Sequence, residues 1–165
     1  MKPLRRLLGL LMLVVVAAHV TAHVAHAAEV RPFDSASLDA IRAAHARRPF
    51  ILIFWSIDCA HCPKELKALG ELKRQYPKLD IVLVSTDNEA EAAQLAGFAA
   101  QQGLGAVEQW MFADPQPEKL RFAVDRRWWG ELPRTYFFDA SHRSEGVSGL
   151  VAPERLQRWA GEHGR

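Results

Sequence analysis

The run Phe50-Ile51-Leu52-Ile53-Phe54-Trp55 is apolar without interruption, which predicts a strand buried on both faces of a sheet. From Cys59 onward the period changes. Cys62, Leu66, Leu69 and Leu72 recur at helical spacing, with Lys64, Lys67, Glu71 and Lys73 between them. A helix with one buried stripe is therefore expected to begin near Ala60 and to end at Tyr76-Pro77. A second strand is expected over 79–85, and a second amphipathic helix over 88–102, closed by Gly103 and Gly105. Upstream, after a short polar lead, 35–47 carries Leu38, Ile41 and Ala44 on one helical face. Downstream the pattern predicts an extended segment over 107–113, a short helix over 118–124, strands over 135–139 and 146–151, and a last helix over 153–162. Strand alternating with helix implies parallel pairing through crossovers, hence an α/β sandwich.

Residues 1–27 follow another plan. Met1-Lys2-Pro3-Leu4-Arg5-Arg6 is basic, 7–18 is an apolar run, and small residues lead to Ala25-His26-Ala27-Ala28. That order is the anatomy of a secretory signal peptide cut before Ala28. An uncleaved anchor wants roughly 20 apolar residues, and His19, His23 and His26 interrupt this run. The expected organisation is a signal peptide over 1–27 and one domain over 28–165, periplasmic or otherwise extracytoplasmic. A membrane is touched only through the N-terminal segment, if that segment is kept. The segment carries Lys2, Arg5 and Arg6 and no acid, so its removal turns the formal net charge from +2 to −1. With no basic tract or interleaved aromatics, nucleic acid is not an expected partner.

Cys59 and Cys62 are the only cysteines. Disulfides persist outside the cytoplasm, but a bridge across two residues constrains little of the unfolded chain, so the pair reads as a reversible redox switch. The strand-to-helix position gives Cys59 the thiolate, because free N–H groups and the positive end of the helix dipole favour an anion there. Cys62, on the apolar stripe, is then the resolving thiol. Haem attachment needs His directly after the second Cys, and Pro63 stands there. A closed zinc site needs four ligands, and no other Cys is present, so no metal site is assigned. Copper or zinc handling by the two thiols and His61 stays open as an alternative, as does a binding domain with an idle pair.

The stretch Phe54-Trp55-Ser56-Ile57-Asp58-Cys59-Ala60-His61-Cys62-Pro63-Lys64-Glu65-Leu66 resembles the active-site segment of the TlpA/ResA-like branch of the thioredoxin superfamily. Leu132-Pro133-Arg134-Thr135-Tyr136-Phe137-Phe138-Asp139 resembles that family's second landmark, a cis-proline before an antiparallel strand. The resemblance implies a thioredoxin-like three-layer sandwich with a mixed central sheet, and a thiol:disulfide oxidoreductase without a cofactor. It implies that Cys59 attacks, Cys62 resolves and the two form the Cys59–Cys62 disulfide. Pro133 would be cis and lie against the sulfurs, leaving the main chain of Leu132 to pair with a substrate strand. Glu65 matches an acidic residue of the branch and would accept the proton of Cys62; the alternative is a solvated helix glutamate. Partners would be protein thiols or disulfides and a redox partner protein. A reductase of envelope or apocytochrome thiols is the expected role, with an oxidant or isomerase as the rival.

Two neighbours set the poise of the pair. A protonated His61 favours the Cys59 thiolate, whereas Asp58, where many relatives carry tryptophan, opposes it; the effects are of similar size and their net sign stays open. Ile53 replaces the buried aspartate of ordinary thioredoxins, and Glu131 stands where a glycine is frequent. Of Trp128 and Trp129, at least one is expected in the core, and His142 is expected at the surface.

Overall fold

The computed structural model describes residues 29–164. The signal peptide expected over 1–27 falls outside the described residues. The elements run β1 (Val30–Phe33), α1 (Ser37–Ala44), β2 (Phe50–Trp55), α2 (Cys62–Gln75), β3 (Asp80–Ser85), a 3-10 turn (Glu89–Glu91), α3 (Ala92–Gln101), β4 (Glu108–Phe112), α4 (Pro117–Val124), β5 (Arg134–Phe138), β6 (Ser144–Ser148) and α5 (Pro153–His163). The strands form one sheet in the order β1-β4-β3-β2-β5-β6. β1, β4, β3 and β2 are parallel, while β5 runs antiparallel to β2 and β6 antiparallel to β5.

All six residues of β2 are buried, as an uninterrupted apolar run requires of a strand covered on both faces. The strand period of two divides them. Ile51, Ile53 and Trp55 join the stripe of α2 (Cys62, Leu66, Leu69, Leu72) together with Leu95 of α3 and Leu156 of α5. Phe50, Leu52 and Phe54 face the other way, onto Leu38 and Ile41 of α1 and Leu120 of α4. The result is the expected three-layer sandwich on a mixed sheet. Among the described residues no helix is long and apolar enough to cross a membrane.

Four details differ from the sequence reading. The polar lead contains β1, whose Arg31 and Pro32 are exposed while Phe33 is buried; an edge strand of four residues with one buried side chain leaves little period to read. β6 spans Ser144–Ser148 instead of 146–151, because its exposed residues are set by pairing with β5 and not by burial. Cys62, not Ala60, opens α2; Ala60 and His61 form a turn before it. His142 is half-buried: its ring meets Phe50 edge-on at 5.7 Å and its Nε2 is 3.0 Å from the carbonyl of His45.

Candidate functional site

β2 delivers the chain to its carboxyl end at Trp55, and the six-residue loop 56–61 turns it into α2. Asp87, beyond the end of β3, holds that loop. Its Oδ1 accepts the hydroxyl of Ser56 at 2.6 Å, and its Oδ2 accepts the main-chain N–H of Ile57 at 3.0 Å and the hydroxyl of Ser85 at 2.6 Å. The loop thus hangs from two adjacent parallel strands. Ser85-Thr86-Asp87 carries the only sequence signal for this, a turn-forming acid after a strand.

Cys59 and Cys62 are joined as a disulfide, with Cα atoms 5.4 Å apart. Cys59 is half-buried at the rim, whereas Cys62 is fully buried among the leucines of α2. The main-chain N–H of Cys62 donates to Sγ of Cys59 at 3.1 Å. A sulfur that faces the first N–H of a helix is placed where negative charge is best tolerated. Asp58 and His61 flank the pair as exposed side chains.

Glu65, one turn into α2, is 1 % exposed. It is not a solvated helix glutamate. Its Oε2 accepts the N–H of Val151 at 3.1 Å, and its Oε1 is buried without a hydrogen-bond partner. Burial pushes the carboxyl up to about 7, against the opposing hydrogen bond from Val151. Three residues after Cys62 on a helix, it lies on the same face as that thiol.

The Leu132–Pro133 bond is cis. The carbonyl of Pro133 accepts the N–H of Gly149 at 2.8 Å, so 149–151 straps the proline loop at one end and Glu65 at the other. Leu132 and Cys59 pack against the same apolar cluster that holds Cys62. Among the described residues, no main-chain hydrogen bond uses the N–H or carbonyl of Leu132. The structure therefore joins Cys59 to Cys62, sets Glu65 one turn further on α2, and ties Glu65 to the Pro133 loop through 149–151, with Asp58 and His61 exposed beside the pair.

The loop before Pro133 is built on Asp125. Its Oδ2 accepts a guanidinium N–H of Arg134 at 2.9 Å, and its Oδ1 the N–H of Arg127 at 2.9 Å. Burial opposes ionisation of Asp125, but the N–H of Arg127 and the charges of Arg127 and Arg134 outweigh it and hold its carboxyl below the usual range. Trp128 is buried against Phe54, with ring centres 4.6 Å apart, and donates its indole N–H to the carbonyl of Glu131 at 3.0 Å. Trp129 is the exposed member of the pair, and Glu131 is a solvated loop residue. Among the described residues, no group of three or more His, Cys, Asp or Glu is placed to hold a metal ion.

Comparisons against protein-family models and against curated proteins give no match. Solved structures do match. A secreted Mycobacterium tuberculosis disulfide oxidoreductase homologous to E. coli DsbE superposes at TM-score 0.57 with 19% identity, over 73% of this chain and 85% of that one. A thiol:disulfide interchange protein of the thioredoxin family from Chlorobium tepidum gives 0.58 and 17%, over 74% and 83%. A DsbF homologue from Corynebacterium diphtheriae gives 0.56 and 20%, over 73% and 75%. At such identities the likeness lies in the architecture, and the chain has the thioredoxin-like fold that these thiol:disulfide oxidoreductases share.

Proposed function

We propose that the protein is an extracytoplasmic thiol:disulfide oxidoreductase that reduces disulfides of protein substrates through Cys59 and Cys62. The observation that carries this reading is the asymmetry of the pair: Cys59 at the rim facing a helix N–H, Cys62 buried one helical turn before a buried carboxyl group whose Oε1 has no hydrogen-bond partner. In the dithiol form, the Cys59 thiolate attacks one sulfur of a substrate disulfide, and the second substrate sulfur leaves as a thiolate. Glu65, with its raised affinity for protons, takes the proton of Cys62. The Cys62 thiolate then attacks Cys59, releases the remaining substrate thiol and restores the disulfide. The substrate gains two electrons and the pair loses two, so a dithiol redox partner must reset it. Leu132 offers its unpaired main chain to an extended substrate segment, and Pro133 keeps that segment beside Cys59. His61 and Asp58 tune the Cys59 thiolate in opposite senses. The signal-peptide pattern of 1–27 supports export, as does the secreted neighbour.

Trapping tests the mechanism. Cys62→Ser protein, exported in living cells, should accumulate protein partners as mixed disulfides through Cys59, and Cys59→Ser should accumulate none. Recovery of no thiol-linked partner would sink the proposal. Equilibration with glutathione tests the direction: a strongly oxidising potential overturns the reductase role in favour of an oxidant.

A further inference from the structure

Trp129 is 85 % exposed and Phe122 58 % exposed. Water meets both rings although the core of the same molecule would bury them at a gain. Neither is loose. The main-chain N–H of Trp129 donates to Glu131 at 3.2 Å, the indole of Trp128 pins the far side of the same turn, and Asp125 fixes its base. The turn therefore holds Trp129 outward on a rigid support. Beneath it lies a groove of about 480 Å³ lined by Phe122, Trp128 and Trp129 and rimmed by Lys119, Arg121 and Arg126. The Arg126 guanidinium sits over the Phe122 ring at 5.1 Å. None of these three cations forms an ion pair among the described residues; Glu118 is the acid among the lining residues, and the Glu131 carboxylate is turned to the Trp129 main chain. A second groove, which includes Asp58, has the opposite sign, with Asp87, Glu91 and Asp114 around it.

Trp129 is three residues from Leu132, a span of at most about 10 Å of chain. A substrate strand paired with Leu132 would reach the groove about three residues from its reacting cysteine. We infer that the Trp129–Phe122 groove is a specificity site for the protein substrate, taking an aromatic side chain flanked by acidic residues about three positions from the cysteine that bonds to Cys59. The inference rests on the redox reading above and names the substrate class for that site. The aromatic ring fills the apolar floor, the flanking carboxylates neutralise Lys119, Arg121 and Arg126, and the acidic groove at Asp58 turns the same segment away from the other side.

Synthetic peptides test it. Each carries one cysteine as a glutathione mixed disulfide, and the third residue from it is Phe between two Glu, Phe between two Lys, or Ser between two Ser. The reduced protein should react with the Glu-Phe-Glu peptide about tenfold faster, in kcat/KM, than with the Ser peptide. Trp129→Ala should bring that ratio near one. Arg126→Glu should favour the Lys-Phe-Lys peptide over the Glu-Phe-Glu peptide. Ratios taken within one preparation cancel any change in the redox pair itself. Equal rates for all three peptides, or a preference that survives Trp129→Ala, overturn the inference. No exchange with glutathione or with any peptide overturns the redox reading instead. Fluorescence anisotropy of the same peptides then decides the groove alone: tighter binding of Glu-Phe-Glu lost in Trp129→Ala supports it, and equal binding sinks it.

Discussion

Glu65 carries an energetic cost that can be measured without any substrate. Its carboxyl is pushed up to about 7 from 4.5, so between these values the folded protein holds a proton that the unfolded chain has released. The contribution of Glu65 to stability is therefore greatest below about pH 4.5, falls as pH rises through about 7 and is level above that. The loss is on the order of 3 kcal/mol. Glu65→Gln keeps an acceptor for the Val151 N–H and removes the ionisation. Urea unfolding should show the variant more stable than its parent at pH 8, with the two converging near pH 4.5. On the proposed mechanism the same substitution should slow the release of substrate from Cys59, because glutamine cannot accept the proton of Cys62. Glu65 was visible in the sequence as a residue one turn past Cys62, yet its burial was not. Helical period places it next to the apolar stripe, and only the arrival of Val151 from a segment 86 residues away closes water off.

The elements show where pattern suffices and where packing intervenes. β2 and α2 are legible because each buries a full apolar face, and the Cys59–Cys62 turn is legible because its chemistry is local. Asp87 and Asp125 are not, since each acts on a partner distant in sequence, Asp87 on Ser56 and Ile57 and Asp125 on Arg134. Gly70 is the plainest case. In a helix interior glycine is about 1 kcal/mol worse than alanine, so an isolated view of α2 recommends Gly70→Ala. In the fold, a Cβ there would lie 1.7 Å from the main-chain carbonyl oxygen of Gln102, at the end of α3. That obstacle is backbone and cannot swing aside. Gly70→Ala should therefore destabilise the protein by about 2 kcal/mol or more, read as a lowered urea midpoint. A neutral or raised midpoint would mean that α2 and α3 are free to separate there.

Over the whole molecule, chemistry and anchoring occupy opposite ends of the sheet. Cys59 and Cys62 lie past the carboxyl end of β2. At the other end, His45 is buried with Nδ1 3.1 Å from Asp80 and Nε2 3.0 Å from Glu108, its ring stacked on Phe50 at 4.8 Å. Arg48 joins Asp80 at 2.6 Å, and Arg31 joins Glu108. Burial works to raise the Glu108 carboxyl, but hydrogen bonds from His45 and Trp110 and the charge of Arg31 outweigh it and hold it below the usual range. The cluster ties α1 to the first residues of β3 and β4 across six residues of strand from the active pair, about 20 Å. His45→Gln should lower stability by about 2 kcal/mol while leaving the equilibrium of Cys59 and Cys62 with glutathione unchanged. A shifted equilibrium would show that the two ends communicate.

The flanks of the sheet have a consequence for behaviour in a crowded compartment. β1 ends one side with Pro32, which has no N–H to offer. β6 ends the other as the five residues Ser144–Ser148, with the charge of Glu145 and with only Val147 partly buried. Both borders are poor templates for another chain's strand. On the proposed function, pairing with another chain falls instead to the short stretch at Leu132, whose main chain is unpaired among the described residues, and capture of a substrate there ends with release of a thiol.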